Sequence, residues 1–137
     1  MKLPKGATVA VADGETLLMF RNTGEHDIKL EALPHPAIGG DNHGSGARHG
    51  SSSANPGESR MEEDSFAAAT AAWLNGQVQT GRIDALVVIA APKTLGELRR
   101  HYHKTLSAKL LGELSKDLTG HSTGDIEAAL TKGSSAG

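Results

Sequence analysis

The first third of the chain alternates apolar and polar residues in three short runs, and this period of two predicts β-strands. The runs cover residues 7–12, 15–21 and 26–33. The Asp13-Gly14 pair between the first two runs predicts a two-residue hairpin turn. Pro34 ends the third run, because proline has no N–H to donate to a ladder. We therefore expect a meander of three antiparallel strands.

The next patterned segment changes to helical spacing. Ser59 and Glu62 have the spacing of a capping box, which predicts a helix that begins at Ser59 and is closed by Gly81. Residues 83–91 are almost entirely apolar. Such a run is typical of a central strand that is covered on both faces.

A second helix, a short strand and a last helix follow. Pro92 suits the first turn of a helix, and Thr94 with Glu97 offers a capping box. One predicted buried stripe runs along this second helix: Leu95, Leu98, Tyr102 and Leu106. Residues 109–114 predict a short last strand, although their propensity favours a helix almost equally, and Ser122 with Asp125 predicts the start of the last helix. The order β-β-β-α-β-α-β-α predicts an α/β fold with a single mixed sheet and helices packed on it.

Glycine is concentrated between the meander and the first helix. The 137 residues include 17 glycines, and residues 39–57 contain no large apolar side chain. A segment of this composition buries too little surface to offset its ordering entropy. We predict a mobile loop at about residues 39–58, inside a single domain of residues 1–132 with a disordered tail at 133–137.

Composition and charge exclude several classes of protein. The absence of cysteine excludes a disulfide scaffold and a thiolate zinc site. The formal charge of −2 excludes a strongly basic nucleic-acid protein, although not a local basic patch. The apolar run at residues 85–91 is too short to span a bilayer, and the amino-terminal residues do not resemble a signal peptide. We expect a cytoplasmic protein without a membrane partner and without a cofactor.

Basic residues are grouped around the second helix. Guanidinium groups pair with phosphate oxygens through two parallel hydrogen bonds, so this group predicts a phosphate or RNA contact. A solvated helix face is the alternative. The predicted contact residues are Arg48, Arg60, Lys93, Arg99, Arg100 and Lys104, with His101 and His103 beside them.

Two weaker chemical possibilities remain at this stage. His35, His43 and His49 lie in or just before the glycine-rich loop, but their spacing is irregular and no metal site is predicted from them. Asp13 and Asp117 follow the first and last strands, so they would approach each other if those strands are parallel. Clustered carboxylates hold metal ions in ribonuclease-H-like enzymes, which leaves a metal-dependent hydrolase or nuclease as an alternative function.

Four blocks of sequence carry a resemblance to a known family. They are residues 9–20, the Phe66-Ala67 pair, residues 83–99 and residues 115–122. The more specific parts are the Ala-Pro-x-x-Leu-Gly-x-Leu-Arg block at 91–99 and a block formed by Lys116, Asp117, Leu118 and Thr119. The chain resembles the host attachment family, named "protein required for attachment to host cells". That family is in turn similar to the middle domain of archaeal and eukaryotic class-1 peptide release factors.

The resemblance implies a ribonuclease-H-like mixed sheet and a ribosome-related role. It also implies that a loop ahead of the first helix would carry Gly-Gly-Gln into the peptidyl-transferase centre. Here Gly39 and Gly40 are followed by Asp41, and the two glutamines, Gln77 and Gln79, come later in the first helix. The release motif is therefore absent, and no catalytic residue is predicted.

The function that these observations favour is a non-enzymatic domain that binds the ribosome or RNA. It would do so through the basic helix and the glycine-rich loop. The Lys116-Asp117-Leu118-Thr119 block predicts either a structural turn or a contact with a ligand or partner. A protein-interaction module, linked only indirectly to host attachment, is the other alternative.

Overall fold

The computed structural model describes residues 3–36, 38 and 56–136. Within these residues the chain forms five strands and four helices. In chain order they are β1 (Thr8–Ala12), β2 (Leu17–Asn22), β3 (Leu30–Ala32), α1 (Pro56–Gln79), β4 (Leu86–Ala90), α2 (Pro92–Arg99), α3 (Lys104–Lys109), β5 (Leu110–Ser115) and α4 (Thr123–Ala136).

The five strands make one mixed sheet in the order β3-β2-β1-β4-β5. The pairs β1/β2 and β2/β3 are antiparallel, whereas β1/β4 and β4/β5 are parallel. The predicted α/β class and single mixed sheet are thus confirmed. Because β1, β4 and β5 run in the same direction, the segments that follow Ala12, Ala90 and Ser115 all lie at one edge of the sheet.

The sheet separates two apolar cores. On one face, Ala10 and Val88 pack with the buried sides of α1, α2 and α3. On the other face, Val9 and Val87 pack with α4. All residues of β1 and β4 are buried, which explains why the β4 segment is apolar throughout rather than alternating.

The first helix begins earlier than its capping signal predicts. α1 starts at Pro56 rather than at Ser59, so Pro56 and Gly57 belong to the helix and not to a loop. Residues 39–55 of the predicted mobile loop lie outside the described residues. The other end is as predicted, since Gly81 follows α1 with a positive φ of 82°, a backbone conformation that favours glycine.

The predicted second helix is broken into α2 and α3. Pro92 lies in the first turn of α2 as expected, but the capping box is wrong: Ala91 is the N-cap, and no side chain caps this helix. Residues 100–103 leave the helical path between α2 and α3. In the last helix the cap is confirmed, because the Ser122 hydroxyl accepts the Asp125 N–H at 3.1 Å.

The first turn and the third strand also differ from prediction. The β1–β2 connection has four residues rather than two. Within it, the Asp13 Oδ1 accepts the N–H groups of Glu15 and Thr16 at 2.7 and 2.6 Å. β3 is only three residues long, and it is shorter than the alternating run at 26–33. Among the described helices, none is both long and apolar enough to cross a membrane.

Candidate nucleic-acid interface

The basic residues predicted to bind phosphate lie mainly on the outer side of α2 and α3. Both helices bury leucines on the opposite side, namely Leu95, Leu98 and Leu106. This burial turns the polar positions toward solvent. We use the term α2–α3 surface for the exposed residues Lys93, Arg99, Arg100, His101, His103 and Lys104.

The turn between α2 and α3 is held by a side chain from α1. The Asn75 Nδ2 donates to the His101 carbonyl at 2.9 Å, and the Asn75 Oδ1 accepts the His103 N–H at 2.9 Å. One amide therefore satisfies a carbonyl and an N–H that have left the helical ladder. The turn is consequently anchored to the body of the domain, while the imidazoles of His101 and His103 stay exposed.

A carboxylate on β5 anchors the same region from the other side. The Arg99 Nε and Nη2 both donate to the Glu113 Oε1, at 2.9 and 2.7 Å. The Tyr102 hydroxyl donates to the Glu113 Oε2 at 3.3 Å. The Glu113 side chain is 15% exposed and that of Arg99 is 57% exposed, so the carboxylate lies under the guanidinium.

These contacts also shift two pKa values. Burial raises the pKa of Tyr102 well above its usual range, and the negative charge and hydrogen bond of Glu113 raise it further. The hydrogen bond and charge of Glu113 raise the pKa of Arg99. The protonated forms of Tyr102 and Arg99 are thus the forms that Glu113 stabilises.

Arg100 and Lys104 are held less firmly than Arg99. The Arg100 Nη1 lies 3.5 Å from the Glu97 Oε2, and 75% of the Arg100 side chain is exposed. Pairs of this kind contribute little to stability and exchange readily. Lys104 is exposed and makes no ion pair with a residue that the structure describes. Arg100 and Lys104 are therefore the cations best placed to meet an anionic partner.

The predicted contact residues fall into three groups. Lys93, Arg99, Arg100 and Lys104 are all exposed on or directly beside α2 and α3. Arg60 belongs to α1, but its side chain is not among those described. Arg48 lies outside the described residues, as do Gly39, Gly40 and Asp41.

The two aspartates of the alternative hypothesis do meet at the sheet edge. The Thr119 hydroxyl lies 2.8 Å from the Asp13 Oδ2 and 3.0 Å from the Asp117 Oδ1. A hydroxyl has one proton, so it donates to one carboxylate at a time. Asp13 already uses its other oxygen in the β1–β2 turn. Thr119 thus fastens the segment after β5 to the turn after β1, whereas Lys116 of the same block is exposed.

Asp13 and Asp117 are not joined by further metal-ligating side chains among the described residues. Within the described residues, no group of three or more His, Asp or Glu side chains has the geometry to hold a metal ion. His35 has a structural contact: its Nδ1 accepts the Met19 N–H at 2.9 Å, and its ring packs edge-on against Phe20. His43 and His49 lie outside the described residues.

Two residues that hold the α2–α3 surface in place, Asn75 and Glu113, were not identified from the sequence. Asn75 lies on a helix whose sequence gives no sign of a contact 26 to 28 residues away. Glu113 lies among the leucines of a short strand, where a carboxylate is partly buried and therefore needs a partner. Its position in the sequence could have indicated that it is paired.

The fold and this site define an α/β domain in which a mixed sheet lies between helices, with a cationic surface on one helical layer. The sequence matches the model of a family described as Bacterial archaeo-eukaryotic release factor family 12 over residues 6–130. The chain belongs to this family. The release-factor resemblance seen in the sequence is thereby confirmed. A search among curated proteins found no match.

Proposed function

We propose that this protein is a cytoplasmic, ribosome-associated domain that contacts RNA phosphates through the α2–α3 surface. The observation that carries the proposal is membership of a release-factor family over residues 6–130. The α2–α3 surface supports the choice of site, since it combines exposed cations with a turn anchored by Asn75.

The chemistry of the surface favours phosphate over bases as the point of contact. Bases of single-stranded RNA stack on exposed aromatic rings, and Tyr102, the aromatic residue of the turn, is half-buried and bonded to Glu113. Arg and Lys side chains bind phosphate oxygens without reading sequence. We therefore expect binding that depends on salt and little on base sequence.

The role that we propose is not enzymatic. The sequence has Gly-Gly-Asp where the release motif would have Gly-Gly-Gln. The contribution of residues 39–41 and of Arg48 to RNA binding remains a prediction from the sequence. If the resemblance to host attachment proteins reflects a shared role, we propose that the effect on attachment follows indirectly from an action at the ribosome.

The test is co-sedimentation of the protein with purified bacterial ribosomes at low salt. Arg100→Glu/Lys104→Glu should lower the affinity roughly tenfold or more, because two attractive charges become repulsive. Arg99 is left unchanged, since it holds Glu113. The matched control is Arg21→Glu/Lys29→Glu, which makes the same charge change at the β2–β3 end of the sheet, away from β5.

Three outcomes decide the proposal. Loss of binding in the first variant and retention in the control supports it. Equal binding of both variants and the unmodified protein contradicts the proposed surface. Failure of the unmodified protein to sediment with ribosomes contradicts the proposed function, and a protein partner recovered without ribosomal components would then favour an interaction module.

A further inference from the structure

Gly96 is exposed in the middle of α2, and no contact with a described residue accounts for a glycine there. A Cβ atom added at Gly96 would meet no heavy atom of the described residues within 4 Å. Among the described residues, the glycines with a positive φ are Gly6 and Gly81, so Gly96 does not need the conformational freedom of glycine. Neither packing nor backbone geometry within the domain excludes alanine at this position.

Glycine also weakens the helix that contains it. α2 has only eight residues. Apart from proline, glycine is the least favourable residue in a helix interior, because it loses the most backbone freedom on folding. A short helix with an exposed glycine at its centre is therefore less stable than it would be with alanine. No contact among the described residues compensates for this loss, which directs attention to an external contact.

The neighbours of Gly96 indicate the chemistry of that contact. Residues three and four positions apart are adjacent on a helix surface. Lys93 precedes Gly96 by one turn and Arg100 follows it by one turn, and all three are exposed. The buried residues Leu95 and Leu98 lie on the opposite side. Gly96 thus presents backbone beside Lys93 and Arg100, with the Glu97 carboxylate 3.5 Å from the Arg100 Nη1.

We propose that Gly96 is the point where the sugar–phosphate backbone of RNA comes closest to the domain, with phosphates bound by Lys93 and Arg100 on either side. This inference rests on the proposed function. Glycine is used where a ligand must approach the backbone closely, and the flanking cations select an anionic chain. A Cβ at this position would prevent the RNA backbone from reaching the helix backbone between these two side chains.

The test is Gly96→Ala, with Gly76→Ala as the matched control. Gly76 lies inside α1, and a Cβ there also meets nothing within 4 Å. Each substitution should raise Tm by roughly 2–4 °C, since alanine favours the helix. Only Gly96→Ala should weaken binding to bacterial ribosomes and to protein-free ribosomal RNA, by about three- to tenfold. Gly96→Gln should weaken both further.

The change in Tm and the change in binding together distinguish an RNA contact at Gly96 from a structural role of this glycine. A more stable Gly96→Ala protein that binds both probes more weakly supports the inference. Unchanged binding overturns it, and so does a fall in Tm, because that would give Gly96 an internal role. Weaker binding to ribosomes but not to ribosomal RNA also overturns it, since the contact would then be with protein. If Arg100→Glu/Lys104→Glu still loses binding in these cases, the proposed function survives.

Discussion

At the scale of single residues, Glu113 determines how the α2–α3 surface is built. Its carboxylate binds Arg99 with one oxygen and Tyr102 with the other. The arginine that the sequence presents as a phosphate ligand is therefore already paired within the domain. This pairing leaves Arg100 and Lys104 as the more available cations and makes Arg99 an anchor for the surface.

The titration of Tyr102 tests this arrangement. Burial and Glu113 raise the pKa of Tyr102 above the unfolded value of about 10. The protonated tyrosine therefore stabilises the folded state below about pH 10, and this stabilisation is lost as the pH rises further. The chain has one tyrosine, so tyrosinate absorbance reports this residue alone.

We expect tyrosinate to form at a distinctly higher pH in the folded protein than in the urea-unfolded protein. Glu113→Gln should lower the folded-state pKa only in part, since burial is the largest cause. Identical titration curves for the folded and unfolded protein would contradict the described environment of Tyr102.

Thr119 provides a second test at the residue scale. Thr119→Val keeps the side-chain shape but removes the hydroxyl that lies between Asp13 and Asp117. We expect a loss of about 1–2 kcal/mol in the free energy of unfolding, because a hydrogen bond to a carboxylate is broken in a half-buried site. Urea unfolding gives this value, with Thr131→Val at an exposed position of α4 as the comparison. An equal, small effect of both substitutions would argue against the fastening role of Thr119.

At the scale of elements, the α2–α3 surface depends on the break between α2 and α3. The break exposes the carbonyl of His101 and the N–H of His103, and Asn75 on α1 binds both. One side chain thus connects three elements: α1, α2 and α3. The position of the turn is set by tertiary contact rather than by a local signal.

Asn75→Ala should therefore loosen the turn without unfolding the domain. The His103 amide loses its acceptor, so its hydrogen exchange should accelerate at least about tenfold. The amides of β4, such as that of Val88, should be unchanged. Amide exchange followed by NMR provides the measurement, and Gln79→Ala on the same helix is the control. Similar protection of His103 in both variants would contradict the anchoring role of Asn75.

The difference between local signals and tertiary contacts explains how much of the fold could be predicted. The apolar run that becomes β4 and the helix that becomes α1 follow from periodicity, and Gly81 and Ser122 follow from local end signals. The break after Arg99 could not be predicted, because its partners Asn75 and Glu113 are distant in sequence. The start of α1 was misplaced, because Ser59 has the residue type of a cap but lies inside the helix.

The candidate site was predictable in composition but not in arrangement. Clustering of basic residues after β4 is visible in the sequence, as is the possible approach of Asp13 and Asp117. Side-chain geometry determines that Arg99 is the cation paired with Glu113. It also determines that the Thr119 hydroxyl lies between the two carboxylates. Local patterns contain no information of this kind.

At the scale of the whole molecule, the chain has a local group of exposed cations despite a net charge of −2. The carboxylates Asp13 and Asp117 lie at the edge where β1 and β5 end, whereas Arg100 and Lys104 lie on the α2–α3 surface. A local cationic surface on a slightly acidic domain favours weak, salt-sensitive binding to a polyanion. This is the behaviour that the proposed association with the ribosome requires.

The salt dependence of ribosome binding tests the central claim most directly. The logarithm of the binding constant should fall linearly with the logarithm of salt concentration, because phosphate contacts release counterions. For Arg100→Ala/Lys104→Ala, the slope should become shallower by roughly 1 to 2 than for the unmodified protein, as two phosphate contacts are removed. The same slope in both proteins, with binding retained, would contradict an RNA-phosphate contact at the α2–α3 surface.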